Sequence, residues 1–155
     1  DIWEAGHRVP FFVRWPGHIK PGTKNSATVC LTDIYATCAA VVRANLSDSE
    51  AEDSISLLPL LRGTTTDRGV PVINHSAAGM FAIRDGRWKL VAGNGSGGRQ
   101  APKGKPFQKP FQLFDLRADP GEVHDIAGQH PDVVARLAES LYVIRNGNRT
   151  PRPRN

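Results

Sequence analysis

Five histidines, fifteen carboxylates and two cysteines are the residues of this 155-residue chain whose types could do chemistry. Their spacing limits what that chemistry is. His18, His124 and His130 share no metal-ligand spacing with one another or with Asp and Glu, which argues against a zinc site. Cys30 and Cys38 have neither Cys-x-x-Cys nor zinc-finger spacing, and their apolar surroundings predict two buried free thiols. Gly93-Asn94-Gly95-Ser96-Gly97-Gly98 lacks the Gly-Lys-Ser/Thr ending of a phosphate loop. It reads as a flexible loop, or as a lip that carries Arg99 or Lys103 toward a ligand. Asp119, Glu122 and Asp125 do not have EF-hand spacing and read as turn and helix-start residues. The segment Glu4-Ala5-Gly6-His7-Arg8 places an acid, an imidazole and a guanidinium within one short stretch. An ion pair fixing the path of the chain is the reading favoured for Glu4 and Arg8, with His7 a supporting or surface histidine. His75 closes an apolar run, where a strand-end imidazole is satisfied by backbone or offered to a ligand.

The elements that must position these groups follow from pattern. Val9 to Trp15 is an aromatic, β-branched run stopped by Pro16-Gly17, which predicts a mostly buried strand. Thr32 is placed to cap a helix over about 33–44, with Ile34, Cys38, Val41 and Val42 on one apolar face. Ser54 to Leu61 reads as a short helical turn stopped by Gly63. Val70 to His75 reads as a strand. Met80–Arg84 and Arg87–Val91 flank Asp85-Gly86, a hairpin signal whose type I′ turn needs positive φ at both positions. Residues 93–110 form a long Gly, Pro and Lys loop. Gln112–Leu116 returns as a strand, and Asp119-Pro120-Gly121-Glu122 is a turn. Pro131 opens a helix to about Arg145 with Val134, Leu137, Leu141 and Ile144 inward. The order is mixed α/β, with an antiparallel sheet and one covering helix over about 70–147.

Composition bounds the class. At 39% hydrophobic and 23% charged the chain has material for a core, and no run approaches the ~18 apolar residues of a membrane span. No membrane span and no nucleic-acid partner are expected. The net charge of +5 favours anionic partners. Much of the excess is local: Arg99, Lys103, Lys105 and Lys109 share one stretch, and Arg145, Arg149, Arg152 and Arg154 crowd the C-terminus. A solvated loop and tail is the plain reading of both. Asn-x-Ser/Thr sequons stand at Asn45, Asn74, Asn94 and Asn148. The chain opens at Asp1 and its one methionine is Met80, as expected of a processed, truncated or excised sequence.

A family resemblance rests on motifs in order. Trp3-Glu4-Ala5-Gly6-His7-Arg8-Val9-Pro10-Phe11, then Arg14-Trp15-Pro16-Gly17 and Ile19-Lys20-Pro21-Gly22, resemble the sulfatases. So do Leu31-Thr32-Asp33-Ile34 with Ala36-Thr37, Asp53-Ser54 with Leu58-Pro59, and Phe81-Ala82-Ile83-Arg84 with Gly86 and Trp88-Lys89-Leu90. Gln112-Leu113-Phe114-Asp115-Leu116 with Asp119-Pro120-Gly121-Glu122 completes the set, which covers nearly all of residues 1–147. Ala5 stands where the family usually has glycine.

This resemblance implies the alkaline-phosphatase-like superfamily. Residues 1–63 would be the last strand and helices of a large α/β domain. Residues 64–155 would be a small antiparallel-sheet subdomain with a terminal helix. It implies hydrolysis of sulfate esters with calcium and a formylglycine made from Cys or Ser in Cys/Ser-x-Pro-x-Arg. The resemblance places both upstream, and also places a catalytic lysine two residues before Asp1. This chain holds no Cys/Ser-x-Pro-x-Arg, so no catalytic and no metal residue is assigned within it. His75 and Arg99 would bind substrate at the cleft mouth, and Glu4, His7 and Arg8 would be structural groups near the active site. Implied partners are a sulfated small molecule or glycan and the remainder of the sulfatase domain, in a periplasmic or secreted setting. The competing readings are a non-catalytic module for anionic polymers and a fragment of a related phosphate or phosphonate ester hydrolase.

Overall fold

The computed structural model describes residues 1–47 and 49–147. They form two units: Asp1–Pro10 with Pro71–Val143, and Phe11–Val70 with the end of the chain from Ile144. The tail arginines Arg149, Arg152 and Arg154 and the Asn148 sequon lie outside the described residues.

Alternation of side chains builds the first unit. Four strands, β1 (Val72–His75), β2 (Phe81–Asp85), β3 (Trp88–Val91) and β4 (Gln112–Asp115), pair antiparallel in chain order. The register Ile73↔Ile83, Ile83↔Leu90 and Leu90↔Leu113 lines one apolar row across the sheet. On this face Asp85 ion-pairs Arg136 and Trp88 meets the ring of His130. Both partners belong to, or directly precede, helix α3 (Pro131–Asn146). Leu137 and Leu141 of that helix are buried, each at ~1.5–3 kcal/mol of apolar stabilisation before entropy. The alternate positions Ala82, Val91 and Phe114 face the other way. There they join Ile2, Met80 and Leu116 in a core cluster, with Trp3 edge-on to Phe114 at 6.0 Å. The sheet is therefore covered by the helix on one face and the N-terminal segment on the other.

The β2–β3 hairpin sits one residue later than its sequence suggests. Asp85 pairs with Trp88, so Gly86 and Arg87 are the central turn residues. Gly86 alone has positive φ, at 57°, the requirement of a type II′ turn and not of type I′.

The 93–110 loop is long, as expected, but its glycine run is not a floppy tether. Ser96 N–H donates to Pro102 O at 2.9 Å, Gly97 N–H to Lys103 O at 2.8 Å and Phe107 N–H to Ala92 O at 2.7 Å. Gly93 bridges Pro106. A Cβ on Gly95 would fall 2.3 Å from Pro102 O, and one on Gly97 2.2 Å from Met80 Cβ. Glycine is used here for close backbone approach.

In the second unit α1 (Asp33–Val41) and α2 (Leu58–Leu61) are arranged by a buried carboxylate. Asp33 accepts from the amides of Cys30 and Ile55, each at 2.9 Å. Arg68 reaches it with Nε and Nη2, each at 2.8 Å. Thr32 has helical φ and ψ and no capping bond; the first-turn amide of Ala36 instead donates to Ser54 Oγ at 2.9 Å. Thr37 and Ser54 bridge the helix to the 54–57 segment. These polar demands turn Asp33, Ala36 and Thr37 inward. The expected apolar face is turned out: Ile34, Cys38, Val41 and Val42 are exposed, and Cys30 is half-buried. The two thiols are thus not the buried pair expected.

Residues 9–15 form no strand, contrary to their sequence pattern. Phe12 is 92% exposed. A strand needs a neighbour to complete its ladder of hydrogen bonds, and the four strands of the described sheet do not include one beside this run.

Candidate substrate-binding rim

At the end of β1 the chain presents His75, and Ser76 beyond it ties that strand end to the glycine loop. Ser76 Oγ donates to Gly97 O at 2.6 Å and accepts from Met80 N–H at 3.1 Å. The His75 ring is exposed, with Nδ1 3.2 Å from Ser76 O. A carbonyl partner holds the proton on Nδ1, which leaves Nε2 as the group a ligand would meet. Beside it the rings of His75 and Phe81 lie 5.8 Å apart, and those of Phe81 and Phe107 5.6 Å apart. Arg99 follows the buried Ser96–Gly97 pair, is exposed, and has its amide held 2.6 Å from Asp1 Oδ1. The structure thus links the backbones bearing His75 and Arg99 through one Ser76–Gly97 hydrogen bond.

Glu4, His7 and Arg8 lie in a separate cluster, in which Glu4 is buried, His7 half-buried and Arg8 exposed. Glu4 lies in a 3-10 turn, Glu4–His7, and is 2% exposed. Its Oε1 pairs closely with Arg84 and stands 3.6 Å from Arg8 Nε. Its amide donates to Glu122 Oε2 at 2.5 Å. Lys89, fully buried, donates to Ile2 O at 2.9 Å. Its Nζ also stands 2.7 Å from Glu122 Oε1 and 3.7 Å from Glu4 Oε2. Burial lowers the Lys89 pKa from its ordinary value, against the pull of Glu122 and Glu4. His7 is pushed down first by burial and then by the nearby Lys89 charge. Its Nε2 is buried with no hydrogen-bond partner among the described residues.

Sequence pattern does not mark Lys89 or Glu122 as site residues. Glu122 lies in the turn that its neighbours signal, and its positive φ of 54° is part of what folds it back onto the sheet. Lys89 had a legible signal: a charge on the strand face that also carries Val91 must be paired if it is buried.

The only buried pair of carboxylates in this cluster already faces Lys89 and Arg84. A divalent ion would have to displace those cations, so this donor set does not suit calcium. No group of three or more His, Cys, Asp or Glu side chains among the described residues is placed to hold a metal. No Cys or Ser here has the x-Pro-x-Arg context of a formylglycine precursor. The residues present do not fit either group.

Comparison with known proteins identifies relatives of the chain. Residues 2–147 match the family model described as N-sulphoglucosamine sulphohydrolase, C-terminal. An N-acetylgalactosamine-6-O-sulfatase of Bacteroides thetaiotaomicron is 34% identical over 152 residues, covering 94% of this chain and 29% of that protein. Arylsulfatase A of Bos taurus is 29% identical, over 90% of this chain and 30% of that protein. A solved structure concerned with the metabolism of multiple glycosaminoglycans by Bacteroides thetaiotaomicron superposes with a TM-score of 0.75. It is 32% identical, over 88% of this chain and 29% of that one. The chain spans about three-tenths of the length of these relatives.

Proposed function

Since the chain belongs to the sulfatases, in the family of the N-sulphoglucosamine sulphohydrolase C-terminal region, we propose that it serves a sulfuric ester hydrolase as scaffold and as one wall of the substrate cleft. The observation that carries this is the match over residues 2–147 to sulfatases and to no more than their last part. Residues 1–63 then belong with the catalytic domain and 64–155 with the small subdomain. Calcium and formylglycine would be supplied by other residues of the enzyme. A sulfated glycan is favoured as substrate, because the first relative is a sulfatase for a sulfated amino sugar. A periplasmic or secreted setting is part of the proposal. No described helix is long and apolar enough to cross a membrane.

In this reading His75 and Arg99 hold the organic part of the substrate or a neighbouring sulfate. His75 Nε2 accepts from a sugar hydroxyl when neutral and donates to an anion when protonated. Arg99 supplies a forked, permanently charged donor. Glu4, Arg8 and His7 act through structure, by holding the N-terminal segment to the sheet.

The test is steady-state kinetics of the sulfatase that carries this chain. His75→Ala and Arg99→Ala should each lower kcat/KM by roughly three- to a hundredfold, as expected for one lost hydrogen bond of ~0.5–3 kcal/mol. The loss should be larger for a sulfated sugar than for a small aryl sulfate. Equal losses on both substrates would assign the residues a structural role, and no loss on either would remove them from the site.

A further inference from the structure

Phe107 is a bulky residue held at φ 59°, in the left-handed region that side chains other than glycine seldom occupy. The residue is 39% exposed. The backbone fixes this arrangement through the Phe107–Ala92 hydrogen bond and the Gly93–Pro106 bridge on either side. A sequence with no use for the ring would place Gly or Asn here. An outlier of this kind points toward function. The ring also extends a row. His75, Phe81 and Phe107 follow one another at centroid separations of 5.8 and 5.6 Å, tilted by 38° and 36°. The same loop carries Arg99, Lys103, Lys105 and Lys109, all exposed. None of these four side chains forms an ion pair among the described residues. An aromatic step bordered by cations suits a ligand with apolar ring faces and negative substituents. A sulfated oligosaccharide has both: C–H faces that rest on aromatic rings, and sulfates along its edge.

We propose that Phe107, with Phe81 and His75 behind it, is the step on which a second sugar ring of a sulfated oligosaccharide rests, while Lys103 and Lys105 take its anionic groups. This rests on the sulfatase reading above and adds to it a substrate longer than one sugar. Such a step would favour a longer chain over a single sulfated sugar.

Phe107→Gly removes the ring at a backbone conformation that glycine adopts freely, so it tests the ring without straining the loop. Calorimetric titration of the sulfatase that carries this chain would compare N-acetylgalactosamine 6-sulfate with a chondroitin 6-sulfate tetrasaccharide. The wild-type enzyme should bind the tetrasaccharide more tightly. Phe107→Gly should weaken tetrasaccharide binding about three- to tenfold and leave the monosaccharide within about twofold. Phe107→Trp should retain the preference and Phe107→Leu should lose it, which keeps the test decisive if the glycine variant is misfolded. Equal tetrasaccharide affinities for wild type, Trp and Leu would overturn the step while leaving the His75–Arg99 reading standing. A wild-type enzyme that binds neither probe would overturn both.

Discussion

Lys89 and Glu122 face each other at 2.7 Å with both side chains almost fully buried, although they come from a central strand and a distant turn. The lysine also holds Ile2 O, so one ammonium joins the sheet, the 119–122 turn and the N-terminal segment. Such a group is costly to bury and costlier still to leave half-paired.

Lys89→Met should therefore destabilise the protein by about 3–5 kcal/mol, since it leaves Glu122 and Glu4 as buried carboxylates without that partner. Adding Glu122→Gln should recover part of the loss. Urea unfolding of the two single variants and the double variant reads the coupling directly. Additive losses would mean that the pair does not interact energetically.

His7 should make stability fall with acid. Its folded pKa is depressed by burial and by Lys89, against Glu4 and Glu122. Above the ordinary value of 6.5 the neutral ring is common to the folded and unfolded chains. As pH falls below that value, the unfolded chain takes the proton first and the folded state loses ground. Unfolding free energy should drop between pH 7.5 and 5.5, and His7→Gln should flatten that drop. An unchanged slope would show that other groups set it.

The Asp33–Arg68 pair and the Asp85–Arg136 pair should behave differently. Asp33 and Arg68 are buried and doubly bonded, and Asp33 also holds two amides. Asp33→Ala should cost about 3–5 kcal/mol. Asp85 and Arg136 are exposed, and Arg136→Ala should cost less than about 1 kcal/mol. Thermal melts of the two variants should separate clearly, and similar shifts would contradict the burial argument.

Gly95→Ala should disorder the 93–106 double pass, because its Cβ would meet backbone rather than a side chain that can move. Hydrogen exchange at Ser96 and Gly97, whose amides bond Pro102 and Lys103, should quicken while β2 and β3 stay protected. Unaltered exchange would show that the close approach can relax.

The sheet and α3 were legible because their signals are local and redundant: period-two alternation, a Gly at the turn, and Pro131 before a regular apolar stripe. The run 9–15 has the same local signal, but its pairing partner is not a local property and the strand is not there. Helix α1 was located while its orientation was read wrongly. Its apolar stripe pointed one way, and a buried carboxylate with four donors pointed the other. His75 and Arg99 could be named from the sequence, but the hydrogen bond joining their segments spans Ser76 to Gly97 and has no one-dimensional signature. Phe107 passed unnoticed because a positive φ at phenylalanine is invisible in composition.

The sheet unit is discontinuous in the chain, and that imposes an order on its assembly. Strands β1 to β4 neighbour one another in sequence and can form a meander as they leave the ribosome. The Asp1–Pro10 segment emerges before the sheet, yet its docking surface is made of Met80, Lys89, Phe114 and Glu122. At ~5–20 residues per second it waits roughly 6–24 s for residue 122 to be made. During that interval Ile2, Trp3 and Glu4 are without these partners. The last contacts of this unit to form are thus those between Asp1–Pro10 and the completed sheet, and the partners of Lys89 come together only then.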